Sequence, residues 1–339
     1  MGLAAVLALA ISVSDLIGQV HSAETTYYAA LPAAAKDGGS PQVFDYYLRL
    51  FDAETLLNSL NEPLPSGYSA DQYRQYAVNV AHMDLDVVRQ LMQRNYTPVT
   101  AEPGLREVFL KSSADGTMQP SALYVPQSYK PGAATPVVVF LHGHGQSESE
   151  LMSPFYIREL ADSTGSIVIA PYGRANYDFR GPALSDVYDA LAAVQHTFSV
   201  DRRRIYLAGY SMGGFSVFEV APSQPMTWRA VMCISGGLLN EDIRTVMATM
   251  RQLPTYVVTG SKDDSIDTAY TTATAEFIAG FNERVSYYSV QGGTHRVVTL
   301  LPQLRQAWAD MHSGTVRQAP EGFARFSLPR SPSMPVVKP

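Results

Sequence analysis

The stretch Arg204-Ile205-Tyr206-Leu207-Ala208-Gly209-Tyr210-Ser211-Met212-Gly213-Gly214 joins an apolar run to a G-x-S-x-G turn and then to a helical pattern. When a strand turns directly into a helix, the residue at the corner takes strained dihedrals, and only small residues two before and two after it avoid a clash. Gly209 and Gly213 stand at those positions around Ser211. The turn lifts the serine hydroxyl off the sheet and sets it at a helix N-terminus, where free N–H groups and the helix dipole favour negative charge. Ser211 is the candidate nucleophile; the bland alternative is an ordinary glycine turn.

Outward from this corner, short apolar runs at 106–111, 120–125, 136–141, 167–171, 204–209, 229–235, 254–259 and 285–290 read as strands. From the third onward the gaps are long enough for crossover helices, which predicts a mostly parallel sheet with helices on both faces. The run Pro136 to Leu141 (PVVVFL) is apolar almost throughout, as a strand buried on both faces requires. Arg202, Arg203 and Arg204 just before the fifth run read as a solvated turn.

A serine hydroxyl needs an adjacent base that a third group orients. On a strand–elbow–helix scaffold the partners follow in the order serine, acid, histidine. The seventh run leads into Gly260-Ser261-Lys262-Asp263-Asp264-Ser265-Ile266, and the eighth into Gln291-Gly292-Gly293-Thr294-His295. Asp263 is the favoured acid because it lies midway between Gly260 and the anchoring Ile266; Asp264, Asp267 and Asp242 are the alternatives. Of the seven histidines, His295 directly follows the last strand and is the candidate base; His312, also after it, lies like His21, His82 and His196 on a helical or terminal segment. At the end of the third strand, Leu141-His142-Gly143-His144-Gly145-Gln146 has an H-x-H spacing, but no further aspartate and histidine accompany it to make a metal site. Its glycines suit an oxyanion loop instead, with the His144 N–H and the Met212 N–H as donors. The segment Pro171 to Pro182 follows the fourth strand at the same edge. Tyr172 and Tyr177 within it, and Tyr210 beside the serine, are substrate-contact candidates.

Composition narrows the function classes. The 339 residues carry 25 Lys+Arg against 31 Asp+Glu, a net charge of −6, which disfavours a nucleic-acid binder. The single cysteine excludes an intramolecular disulfide and any cysteine-based metal centre. Met1 to Ser14 is uncharged and apolar, too short to span a bilayer but the length of a signal-peptide core, so residues 1–23 read as a signal peptide and the protein as secreted or periplasmic, with a cytoplasmic location as the alternative. Residues 29–41 read as a linker within a 24–100 segment that ends in a helical hairpin. Its first helix shows Phe44, Tyr47, Leu48 and Phe51 on one face, and its second opens on a capping box at Ser69 and Gln72. A catalytic domain is expected over 101–312, and the Pro-rich 313–339 tail is expected to be disordered.

The pieces FLHGHGQ (140–146), APYGRANYDFRGPALSDVYDAL (170–191), VDRRRIYLAGYSMGGF (200–215), GSKDDSI (260–266) and GGTHRVV (292–298) together resemble the α/β-hydrolase superfamily. Within it they are similar to the extracellular esterase branch related to feruloyl esterases and polyhydroxybutyrate depolymerases, which borders the prolyl oligopeptidase-type catalytic domains. The resemblance implies an α/β-hydrolase fold with eight strands, and Ser211 as nucleophile, Asp263 as acid, His295 as base, and the Met212 and His144 amides as oxyanion hole. It implies hydrolysis of a small-molecule or polymer-linked carboxylic ester through an acyl-enzyme, without metal or cofactor and without nucleic-acid or membrane-spanning partners. A serine peptidase and a non-catalytic binding protein are the rival readings. The helical hairpin departs from the family pattern, and the short Gly236–Leu253 stretch leaves no room for a large lipase-type cap.

Overall fold

Why the third strand is so apolar is plain in the computed structural model, which describes residues 12–36, 42–239 and 243–317. Thr135–Leu141 (β3) is buried at every position and lies inside an eight-stranded sheet. The strands in chain order are β1 Gly104–Lys111, β2 Met118–Val125, β3, β4 Ile167–Pro171, β5 Val200–Tyr210, β6 Ala230–Ile234, β7 Thr255–Gly260 and β8 Val285–Val290. Their spatial order is β1-β2-β4-β3-β5-β6-β7-β8. The β1/β2 and β2/β4 pairs are antiparallel; every pair from β4 to β8 is parallel.

Side chains alternate across these strands, so each face takes its own helices. Val139, Leu207, Val231 and Val257 share one core with Val187 of α6 (Pro182–Thr197), Val217 and Phe218 of α7 (Met212–Ser223) and Ile278 of α9 (Thr268–Ala279). On the opposite face α10 (Val297–Ser313) covers the sheet: Trp308 packs on Phe140 with ring centroids 6.4 Å apart, and the Tyr256 hydroxyl donates to the Asp310 carbonyl. Glu148–Met152 (α4), Phe155–Thr164 (α5) and Ile243–Met250 (α8) complete the described helices of this part. Parallel pairing aligns the C-terminal ends of the strands, with Leu141 level with Gly209 and Tyr210 level with Ile234. All the functional candidates sit along that edge.

The arginine triplet is part of β5 rather than a turn before it. Val200 already pairs with Thr135, because backbone ladder bonds need no apolar side chain, and Arg204 donates to Asp201 and to the Ala134 carbonyl.

The chain divides into two units: Met1–Thr97 with Ser153–Phe155, and Pro98–Met152 with Tyr156–Pro339. In the first unit, Val13–Lys36 (α1), Gln42–Asn58 (α2) and Ala70–Gln93 (α3) are helical. Residues 29–36, expected as linker, continue α1; five alanines between 29 and 35, the best helix formers, offset Pro32. Phe51 does not join the buried face of α2. It is exposed, while Leu50, Ala53 and Leu57 are buried and Arg49 pairs with the buried Asp84 of α3 at 3.4 Å. The capping box forms in full: Ser69 Oγ accepts from the Gln72 N–H at 3.2 Å, and Gln72 Oε1 accepts from the Ser69 N–H at 3.0 Å. The first 11 residues of the expected signal peptide and the tail after residue 317 lie outside the described residues. No described helix is long and apolar enough to cross a membrane.

Candidate active site

Ser211 sits between β5 and α7 with φ 53° and ψ −117°, a region that costs a side-chain-bearing residue on the order of 1–3 kcal/mol. The surroundings hold it there. Its N–H donates to the Ile234 carbonyl at 2.9 Å, and the next turn is locked by Gly213 N–H to the His142 carbonyl at 3.0 Å. A methyl group on Gly209 would lie 2.0 Å from the Gly213 carbonyl oxygen, and one on Gly213 would lie 2.3 Å from that of Leu141. Both glycines are therefore dictated by backbone contact.

His295 Nε2 lies 2.9 Å from Ser211 Oγ, and its Nδ1 lies 2.9 and 3.0 Å from the two Asp263 oxygens. An ionised carboxylate can only accept, so Nδ1 carries the hydrogen and Nε2 offers its lone pair to the serine hydroxyl. Asp263 is fully buried on its side chain. Its Oδ1 also accepts from the Ser265 and Ile266 N–H groups at 3.1 and 2.9 Å. Burial pushes this carboxyl up, but the His295 hydrogen bond and the Ile266 N–H outweigh that and hold it below the ordinary carboxylate range. Asp264 is exposed, Asp267 caps α9 through the Ala269 N–H, and Asp242 lies outside the described residues. The loops that carry acid and histidine are tied together, with Lys262 N–H on the Gly293 carbonyl at 2.8 Å and Gly292 N–H on Ser261 Oγ at 2.8 Å.

The His142–Gln146 turn stands beside the serine, and a methyl group on Gly143 would come within 3.2 Å of Ser211 Cβ. Its amides can be accounted for one by one. Gly143 N–H donates to Gln146 Oε1, Gly145 N–H to Asn176 Oδ1, and Gln146 N–H to the Gly143 carbonyl. Among the described residues the His144 and Met212 amides donate to no protein acceptor. His142 is fully buried, with Nε2 2.7 Å from the Tyr172 carbonyl and Nδ1 2.9 Å from that of Gly143. Neither nitrogen is disposed toward a metal.

The three tyrosines separate. Tyr172 is buried, so it forms scaffold beneath His142 rather than the wall of an open cleft. Tyr177 is 51% exposed. Tyr210 packs its ring 5.1 Å from that of His295 and donates its hydroxyl to the His295 carbonyl, which makes it a brace for the histidine loop.

Sequence reasoning missed what Arg174 does. Its Nε donates to Asp186 at 2.6 Å and its Nη2 to Ser112 Oγ at 2.9 Å, while Nη1 holds Asp115. The Arg174 hydrogen bond drives the Asp115 carboxyl far below the usual range. The only sequence signal was an arginine in an apolar-edged loop, which is too weak to assign. Arg174→Met leaves Asp186 buried and uncompensated, an expected loss of about 3–5 kcal/mol at pH 7. A depressed carboxyl adds stability above its unfolded pKa and loses it as pH falls through the folded value. The gap between wild type and variant should therefore narrow below about pH 4. Urea denaturation at pH 7 and pH 3 reads this; a gap that does not shrink in acid would contradict it.

A buried carboxylate, an oriented imidazole, a strained serine and two unpaired amides can activate an oxygen nucleophile and receive negative charge. The sequence profile of the alpha/beta hydrolase family matches residues 138–338. The bifunctional acetylxylan esterase/xylanase XynS20E of Neocallimastix patriciarum is 27% identical over 149 residues, covering 43% of this chain and 21% of that protein. Probable feruloyl esterase C of Aspergillus oryzae is 27% identical over 127 residues, covering 35% and 46%. This chain thus spans less than half the length of either relative. Among solved structures, the fluorophosphonate-binding serine hydrolase FphF of Staphylococcus aureus superposes with a TM-score of 0.53 at 14% identity, covering 62% of this chain and 99% of that one. A ferulic acid esterase gives 0.53 at 14% identity, covering 62% and 98%. At such identities the likeness is one of fold. With more than half of its length matched by the family profile, the chain belongs to the alpha/beta hydrolase family.

Proposed function

We propose that this protein hydrolyses carboxylic esters through an acyl-enzyme on Ser211. The observation that carries the reading is the unbroken hydrogen-bond chain from Ser211 Oγ through His295 to Asp263. Ser211 Oγ attacks the ester carbonyl carbon while His295 Nε2 takes its proton. The charge that develops on the carbonyl oxygen is met by the Met212 and His144 amides. The carbon–oxygen bond to the alcohol then breaks, and Nε2 returns the proton to the departing oxygen. Water repeats the attack with the same histidine as base, releasing the acid and restoring Ser211. Asp263 stays ionised throughout and holds the imidazolium. The reaction as written uses no metal or cofactor.

The names of the relatives, an acetylxylan esterase and feruloyl esterases, support an ester rather than an amide substrate. An exported location is part of the reading and rests on the apolar, uncharged Met1–Ser14 segment. The test is kcat/KM on a matched ester and aminoacyl-amide pair, with the ester expected to lead by well over about tenfold. Equal values would replace the esterase reading with a peptidase one. A folded protein that turns over neither would favour a binding role.

A further inference from the structure

The segment Tyr172 to Gly181 adopts a backbone that few sequences tolerate. Gly173, Arg174, Ala175, Asp178, Phe179 and Gly181 all have positive φ, between 53° and 61° for all but Asp178 at 52°. Three anchors hold it. Arg174 is bonded to Asp115, Asp186 and Ser112; Arg180 forks onto Glu219; and the buried Phe179 ring packs 5.1 Å from that of His142. A loop fixed in this way can present a side chain as rigidly as a strand does. What it presents to the turn beside Ser211 is Asn176, whose Oδ1 accepts the Gly145 N–H at 2.7 Å.

We propose that Asn176 is a positioning residue for the oxyanion donor, acting through Gly145 to fix the direction of the His144 N–H. The proposal rests on the reading of His144 as an oxyanion donor given above. A trans peptide is planar, so its N–H points opposite to its C=O. The Gly143 carbonyl, which shares a peptide plane with the His144 N–H, is turned toward the Gln146 N–H at 3.3 Å and the His142 ring at 2.9 Å. That sends the His144 N–H the other way. The plane on the far side of His144 contains the Gly145 N–H, and Asn176 fixes it. Gly143 and Gly145 flank His144, and Gly145 has φ 69°, so the turn has little steric resistance of its own to rotation. The inner clamp, Gly143 N–H to Gln146 Oε1 at 3.2 Å, lies within the turn and moves with it. The Asn176 bond comes from a separately anchored loop 31 residues along the chain and does not. Preorganised donors act without reorganising during the reaction, so the effect of the brace falls on the transition state.

The experiment compares the full-length wild type with Asn176→Ala and Asn176→Asp on a 4-nitrophenyl ester. It also measures inhibition by a trifluoromethyl ketone, which adds to Ser211 and leaves an oxyanion in place of the carbonyl. Asn176→Ala is expected to lower kcat by about tenfold with KM within about twofold, and to weaken the ketone by the same factor. Because Asn176 is exposed, the melting temperature should stay within about 2 °C. Asn176→Asp keeps an acceptor at the same reach and should remain within about threefold of wild type. An Asn176→Ala enzyme with unchanged kcat and ketone affinity overturns the proposal while the esterase reading stands. So does a loss of kcat without weaker ketone binding, or an equal loss in both variants. A wild type that neither cleaves the ester nor binds the ketone overturns the proposal and the esterase reading together.

Discussion

Ser211→Ala is expected to lower kcat for ester hydrolysis by on the order of 10⁴–10⁶ while leaving the fold intact. The size follows from chemistry. The variant has no oxygen to bond to the acyl carbon, and His295 loses the group whose proton it takes at 2.9 Å. What remains is substrate binding and the two amides, which by themselves give only a modest acceleration over water. Removing the side chain also replaces a hydroxyl by a smaller group at φ 53°, which the flanking backbone bonds at Ile234 and His142 keep in place. Intact-mass measurement after fluorophosphonate treatment provides the matching observation: one adduct on the wild type and none on the variant. A variant that retains more than about one hundredth of the activity, or that still takes the adduct, would mean that another residue is the nucleophile.

Asp263→Asn is expected to cost about 10⁴ in kcat, and Asp264→Asn less than about twofold. Asp263 Oδ1 receives the Ser265 and Ile266 amides, so an asparagine keeps its carbonyl oxygen there and turns its NH₂ toward His295 Nδ1. Two donors cannot face each other, so the imidazole hydrogen moves to Nε2, which can then no longer accept the Ser211 proton. Asp264 is exposed, and no such consequence follows there. Despite burial, the His295 hydrogen bond and the Ile266 amide hold the Asp263 carboxyl below the ordinary range, so the wild type keeps its carboxylate as pH falls through that range. Steady-state kinetics on both variants reads the comparison. Full turnover by Asp263→Asn would move the acid elsewhere.

Local pattern made most of the scaffold legible. Each of the eight expected strands is present: short β-rich runs, spaced from the third onward for crossover helices, are what a mostly parallel sheet requires. The capping box at Ser69 and Gln72 and the glycines around Ser211 are readable for the same reason: the steric or hydrogen-bond demand lies within four residues of the group that meets it. Phase and extent were harder. Phe51 is exposed one position from the buried Leu50, so its apolar ring alone did not place it on the buried face. Polar residues hid the start of β5, where Val200 pairs with Thr135 before the register shifts to Val137 and Ile205.

Sequence by itself determined the elbow, the order serine, acid and histidine, and the alternation that builds a mostly parallel sheet, since each is written in neighbouring residues or in strand spacing. Tertiary structure alone decided which carboxylate meets His295 across 32 residues, that Tyr172 lies buried while Tyr177 is exposed, and that Tyr210 braces the histidine loop. It also decided that Arg174 reaches Asp115 across 59 residues and Asn176 reaches Gly145 across 31. Those contacts exist because β4 lies next to β3 and β2, so loops distant in the chain emerge side by side at one sheet edge. Adjacency of that kind depends on strand order, which no local run of residues encodes.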